Sequence, residues 1–80
     1  MFYAYVIRSS FDGSYYKGHC ENLDERLDQH NSGMTKSIKN KGSFEIVYYE
    51  IFETRPEAIS REKYFKTGAG RRYLKSKILR

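Results

Sequence analysis

Eighty residues with 39% hydrophobic content and thirteen aromatic side chains, eight Tyr and five Phe, carry too much large apolar surface for a disordered segment and too little chain for two domains. A chain of this size buries only about 60% of its unfolded surface, which predicts a thin core with little room for an internal cofactor. The net charge of +5 is lopsided: residues 1–40 hold five basic and five acidic groups, residues 41–80 hold ten and five, and the last ten residues hold five cations and no anion.

The first elements are two β-rich runs, 2–9 (Phe-Tyr-Ala-Tyr-Val-Ile-Arg-Ser) and 14–20 (Ser-Tyr-Tyr-Lys-Gly-His-Cys), flanking the turn dipeptide Asp12-Gly13 and predicting a β-hairpin. Asn22 as N-cap with Glu25 three residues on, and Gly33 as a stop, predict a helix over about 23–32. On it Leu23 and Leu27 lie four apart, as do Arg26 and His30, so a cation and an imidazole flank the apolar stripe. Residues 34–43 have no period and three lysines, Lys36, Lys39 and Lys41, and are expected to form a basic loop. Residues 44–52 predict a third strand. Thr54, Pro56 and Glu57 then make the clearest helix start in the chain, for a helix to about Thr67. Gly68-Ala69-Gly70 is expected to interrupt it before a short basic helix over about 71–79. The order is β-β-α-β-α-α, an α+β fold with a small three-stranded antiparallel sheet flanked by helices.

Strand periodicity places the candidate site residues. An even hairpin loop of two or four residues puts odd positions of the first strand on one face with even positions of the second, so Tyr5, Tyr16 and Gly18 share a face. With a four-residue loop Gly18 stands opposite Tyr5, and a glycine in mid-strand leaves a gap beside the phenol where a ligand can approach. The competing interpretation is that these tyrosines only pack the core. In the second helix, Glu62 has Ala58, Ile59 and Phe65 at minus four, minus three and plus three, so a carboxylate falls in the apolar stripe and needs a partner. That partner is either Arg26, in an ion pair, or a divalent cation. Tyr5, Tyr16, Arg26, His30 and Glu62 together supply a proton-transfer group, an anion clamp and a metal ligand, the requirements of phosphodiester hydrolysis.

These residues resemble the GIY-YIG nuclease domain from about Phe2 to Lys75. Its two tripeptides correspond to Tyr3-Ala4-Tyr5 and Tyr16-Lys17-Gly18, neither of them literal. Its arginine-bearing helix corresponds to Leu23 through Gly33, and its metal-binding glutamate to Glu62. The chain is most similar to small single-domain members grouped with the nuclease subunit of nucleotide excision repair. The resemblance implies a one-metal endonuclease using Mg²⁺ or Mn²⁺. Tyr5, alone or with Tyr16, would accept a proton from the attacking water, Arg26 would clamp the phosphate, and Glu62 would hold the metal. His30 would bond a phosphate oxygen, assist a tyrosine or orient Arg26. A free phenol has a pKa of about 10, so a phenolate needs cations nearby. Gly18 and His19 are candidate nucleic-acid contacts, with Lys17 expected to point to the opposite face and matter less.

The basic loop and tail, with Lys36, Lys39, Lys41, Arg71, Arg72 and Lys75, suit phosphate contacts that read no bases, with DNA expected before RNA. Specificity would then be for nucleic-acid shape, or be supplied by a partner protein or homodimer. One alternative is a non-catalytic nucleic-acid-binding module in which Arg71, Arg72 and Tyr73 matter more than Glu62. Another is an interaction domain held by an Arg26–Glu62 ion pair. The single cysteine, Cys20, allows no intrachain disulfide and no multi-cysteine zinc site. No apolar run approaches the roughly 20 residues that cross a bilayer, so a cytoplasmic protein without a membrane partner is expected.

Overall fold

The computed structural model describes residues 1–31 and 43–78, and within them the expected order β-β-α-β-α-α holds. The strands are β1 (Phe2–Ser9), β2 (Tyr15–Cys20) and β3 (Phe44–Phe52), and the helices are α1 (Leu23–Asn31), α2 (Arg55–Phe65) and α3 (Gly68–Ile78). The sheet is antiparallel in the order β2-β1-β3, so β1 is central and buried while β2 forms an edge. The lysine-bearing segment with Lys36, Lys39 and Lys41, and Arg80, lie outside the described residues.

The hairpin closes as the Asp-Gly turn requires. Ser9 N–H donates to the Ser14 carbonyl at 2.8 Å, Ser14 N–H donates to Asp12 Oδ1 at 3.0 Å, and Gly13 takes φ 75°, a conformation open chiefly to glycine. The loop therefore has four residues and the register sets Tyr5 opposite Gly18.

Each face of β1 builds its own half of the core. Tyr5 and Ile7 join Cys20 and Phe44 on one face, covered by Leu23 and Leu27 of α1. Ala4 and Val6 join Phe65 and Leu74 on the other, covered by α2 and α3. Strand β3 serves both through a register shift. Ile7 faces Ile46 but Val6 faces Tyr48, so one extra residue, Val47, is accommodated. Phe44 and Ile46 thus point towards α1, whereas Tyr48 and Phe52, of the same parity, point towards α2 and α3.

Capping fixes the helix starts. Asn22 Oδ1 accepts from Glu25 N–H at 3.0 Å, and Thr54 and Glu57 form a full capping box. Asn31 at the end of α1 bonds both backbone groups of Phe44, accepting from N–H at 2.6 Å and donating to the carbonyl at 3.3 Å. The expected interruption at Gly68-Ala69-Gly70 is corrected: the break falls at Lys66-Thr67 and the glycines form the first turn of α3. Thr67 caps that turn, its Oγ1 accepting from Gly70 N–H at 3.0 Å. Gly70 sits so tightly on α2 that a Cβ there would lie 1.8 Å from the Tyr64 carbonyl oxygen. It is a contact glycine, not a helix breaker.

Across the α2/α3 face, Arg61 donates to both carboxylate oxygens of Glu50, at 2.8 and 3.3 Å, and the hydroxyls of Tyr48 and Tyr73 donate to the same carboxylate. Burial opposes the charge on Glu50, but these bonds hold its carboxyl below the usual range. Tyr73 thereby joins α3 to β3 through its hydroxyl.

Candidate active site

The site forms around Gly18, where the edge strand is thinnest. From one face Tyr5, only 3% exposed, lays its phenol against Gly18, and a Cβ on that glycine would meet Tyr5 Oη at 2.4 Å. Only glycine leaves this path open. The phenol oxygen is held by α1: Arg26 Nε–H donates to it at 3.2 Å, and it shares a 3.0 Å hydrogen bond with His30 Nε2. Helix α1 makes this possible because Arg26 and His30, four residues apart, stand on the same side as Leu23 and Leu27. Arg26 is steadied by its bond to Gln29 Oε1 at 2.9 Å and borders an open cleft lined by Cys20, Asn22 and Glu25.

From the opposite face, α2 brings Glu62. Residues 17 and 19 alternate with Tyr16 and Gly18, so His19 points towards α2, where its Nδ1–H donates to Glu62 Oε1 at 2.6 Å. Lys66, one turn further along α2, donates to Glu62 Oε2 at 2.8 Å. The expectation of an Arg26–Glu62 ion pair is therefore corrected. The cation of α1 goes to Tyr5, and Glu62 is met by His19 and Lys66. The sequence marks His19 only as a phosphate contact; its pairing with Glu62 spans 43 positions, and helix periodicity carries no trace of it.

The electrostatics divide the groups into two sets. Burial pushes the Tyr5 phenol up, outweighing the Arg26 bond and charge that pull it down, and the Glu62 charge adds to the rise. His30 is pushed down by burial and then by Arg26. Both are therefore neutral near pH 7, and Arg26 alone does not make Tyr5 a phenolate. Burial works against the Glu62 charge as well, yet the bonds from Lys66 and His19 keep its carboxyl below the usual range, so it is an anion. His30 Nδ1 is buried with no hydrogen-bond partner among the described residues.

Tyr16 is placed differently. Its ring packs edge-on against Phe44, with centroids 5.7 Å apart at 78°, as part of the core under α1. Lys17 points away from Tyr5, as strand parity requires, and with Arg71 and Lys75 it lines a recess on the α3 side. Arg72 is exposed.

A single anionic carboxylate with an imidazole beside it fits a divalent ion that takes most of its ligands from water and substrate phosphate, once Lys66 gives up Glu62 Oε2 to the ion. A closed all-protein cage does not fit, since no group of three or more His, Cys, Asp or Glu side chains capable of holding a metal occurs among the described residues. Among those residues, no helix is long and apolar enough to cross a membrane.

Comparison with known proteins places the whole chain among relatives of similar length. A UPF0213 protein of Staphylococcus saprophyticus is 35% identical over 74 residues, covering 91% of this chain and 89% of the relative. One from Clostridium perfringens is 40% identical over 67 residues, covering 82% and 71%. The solution NMR structure of a UPF0213 protein from Bacillus halodurans superposes with a TM-score of 0.56 at 30% identity, covering 95% of this chain and 84% of that one. The family model of the GIY-YIG catalytic domain matches residues 1–74, and the chain belongs to the GIY-YIG family.

Proposed function

We propose that the protein is an endonuclease that hydrolyses phosphodiester bonds in nucleic acid, DNA before RNA, with Mg²⁺ or Mn²⁺. The observation that carries this reading is the pair of differently charged sets on the two faces of β2: neutral Tyr5 and His30 with cationic Arg26 on the face where Tyr5 lies against Gly18, and anionic Glu62 bonded to the neighbouring His19 on the other. Membership of a nuclease family supports the same conclusion.

In this mechanism Arg26 neutralises the scissile phosphate with a planar guanidinium that matches phosphate geometry. Tyr5 and His30 act in series. The phenol oxygen takes a proton from the attacking water as the phenol passes its own proton to His30 Nε2, so no free phenolate is required. This demands that neutral His30 carry its proton on Nδ1, and the downward shift of its pKa keeps Nε2 free to accept. Glu62 would hold the divalent ion, with His19 fixing the orientation of the carboxylate. The bound ion would supply Lewis-acid stabilisation of the charge on phosphate and departing oxygen. Tyr16, packed on Phe44, serves by positioning the strand that carries Gly18.

The test is incubation with labelled duplex, branched and single-stranded DNA and RNA, in Mg²⁺, Mn²⁺ or chelator. Metal-dependent cutting of at least one substrate supports the reading. Salt-sensitive binding with no cutting in any condition would replace it with a nucleic-acid-binding module.

A further inference from the structure

On the α2/α3 side of the sheet a line of cations leads away from Glu62. Lys66 is bonded to Glu62, and Lys17 is near enough to both Lys66 and Arg71 that, after burial, those two charges hold its amine below the ordinary range. Lys17, Arg71 and Lys75 then rim a cleft of about 250 Å³ between β2 and α3, walled by Val6, Leu74, Ile78 and Tyr15. Among the described residues, no acidic side chain lines it. Three cations gathered around an apolar hollow repel one another until an anion arrives. The hollow is smaller than the roughly 300–1,000 Å³ of drug-sized sites, and so suits a single ring system. A flat apolar body with anionic groups at its edges is the chemistry of a nucleotide.

We propose that this cleft holds one unpaired nucleobase of the substrate strand, its ring against Tyr15, Leu74 and Ile78 and its neighbouring phosphates on Lys17, Arg71 and Lys75. The inference rests on the endonuclease reading and deepens it by naming the substrate class: nucleic acid with a single-stranded segment beside the cut. A base stacked and paired within a duplex has no free face to offer such a cleft. It also gives Lys17, on the strand face away from Tyr5, a direct part in binding.

The experiment measures binding in chelator, where nothing is cut, so its outcome is independent of whether the protein is a nuclease. Fluorescence anisotropy compares a short thymidine oligonucleotide with an abasic strand of equal phosphate count. The base-bearing strand should bind about tenfold more tightly. Tyr15→Ala and Ile78→Ala should each erase that advantage, whereas Lys17→Ala and Arg71→Ala should weaken both strands alike. Lys63→Ala, which removes an exposed cation of α2, should leave the advantage unchanged. Circular dichroism checks that each variant folds, and Ile78→Ala, at the end of α3, keeps the test open should Tyr15→Ala unfold. Equal affinity for the two strands, or an advantage that survives both wall variants, would overturn the proposal. So would self-association of the protein that these variants abolish, which would assign the cleft to a second copy of the chain.

Discussion

At the scale of single residues, the site depends on what is absent at position 18 as much as on what is present around it. Gly18→Ala would put a methyl 2.4 Å from Tyr5 Oη, and because Tyr5 is buried and bonded to both Arg26 and His30, its phenol has little freedom to yield. Cutting should fall about 100-fold, the scale set by a displacement near 1 Å in a catalytic group, while thermal unfolding shows the chain still folded. An unchanged rate would show that the phenol position is immaterial. The Tyr5–His30 pair makes a second prediction. His30 must be neutral to accept, so the rate should fall as pH drops through the range below the ordinary histidine value of about 6.5 and level off above it. A rate that only climbs towards pH 10 would favour a free phenolate instead. The sign for stability is the same: a lowered pKa means that the unfolded chain binds the proton more readily, so His30 erodes stability as pH falls through its unfolded value. Tyr5, Gly18 and their opposition were legible because strand parity and loop length suffice to place them. His19 as partner of Glu62 was not, because the contact depends on how α2 lies across β2.

At the scale of elements, local chemistry announced the helix starts, and tertiary contact decided what periodicity could not. Thr54, Pro56 and Glu57 specify the beginning of α2 through bonds within four residues. The shift at Val47, by contrast, leaves the pattern of Phe44 through Phe52 looking like one uninterrupted strand, while Phe44 and Tyr48 cover opposite faces. The glycines of α3 mislead in a different way, since Gly70 is required by the carbonyl of Tyr64 and not by backbone freedom. Gly70→Ala should therefore destabilise the protein by roughly 3 kcal/mol in denaturant unfolding, the upper part of the range for overpacking, where an exposed helical glycine would gain from the same change. A gain in stability would mean that α3 moves away from α2 freely. The Glu50–Arg61 network, half-shielded from solvent, is a comparable tie. Arg61→Met should cost about 2 kcal/mol by leaving the carboxylate only its tyrosine donors.

At the scale of the whole molecule, the charge asymmetry seen in the sequence becomes a surface. The cations of α3 extend the line that begins at Lys66 and Lys17. Replacing Arg71, Arg72, Lys75 and Lys77 with Gln should weaken nucleic-acid binding and flatten its salt dependence, the slope changing by about 0.9 for each duplex phosphate that is no longer neutralised. An unaltered slope would make that helix face a solvated one. The fold class was readable because four independent local signals agree: the hairpin turn, two N-caps and the apolar strands. The placement of Arg26 and Glu62 on opposite faces of the sheet, with different partners, was not, since no single element carries it. The central claim is that Arg26 and Glu62, from opposite faces, serve one phosphodiester cleavage. Its most direct test is single-turnover cutting by wild type, Arg26→Ala and Glu62→Gln on the same substrate. Arg26→Ala should lose roughly 100- to 1,000-fold in rate, and Glu62→Gln should lose its metal-dependent cutting while still binding nucleic acid. Cutting that persists at the wild-type rate in either variant would contradict the account.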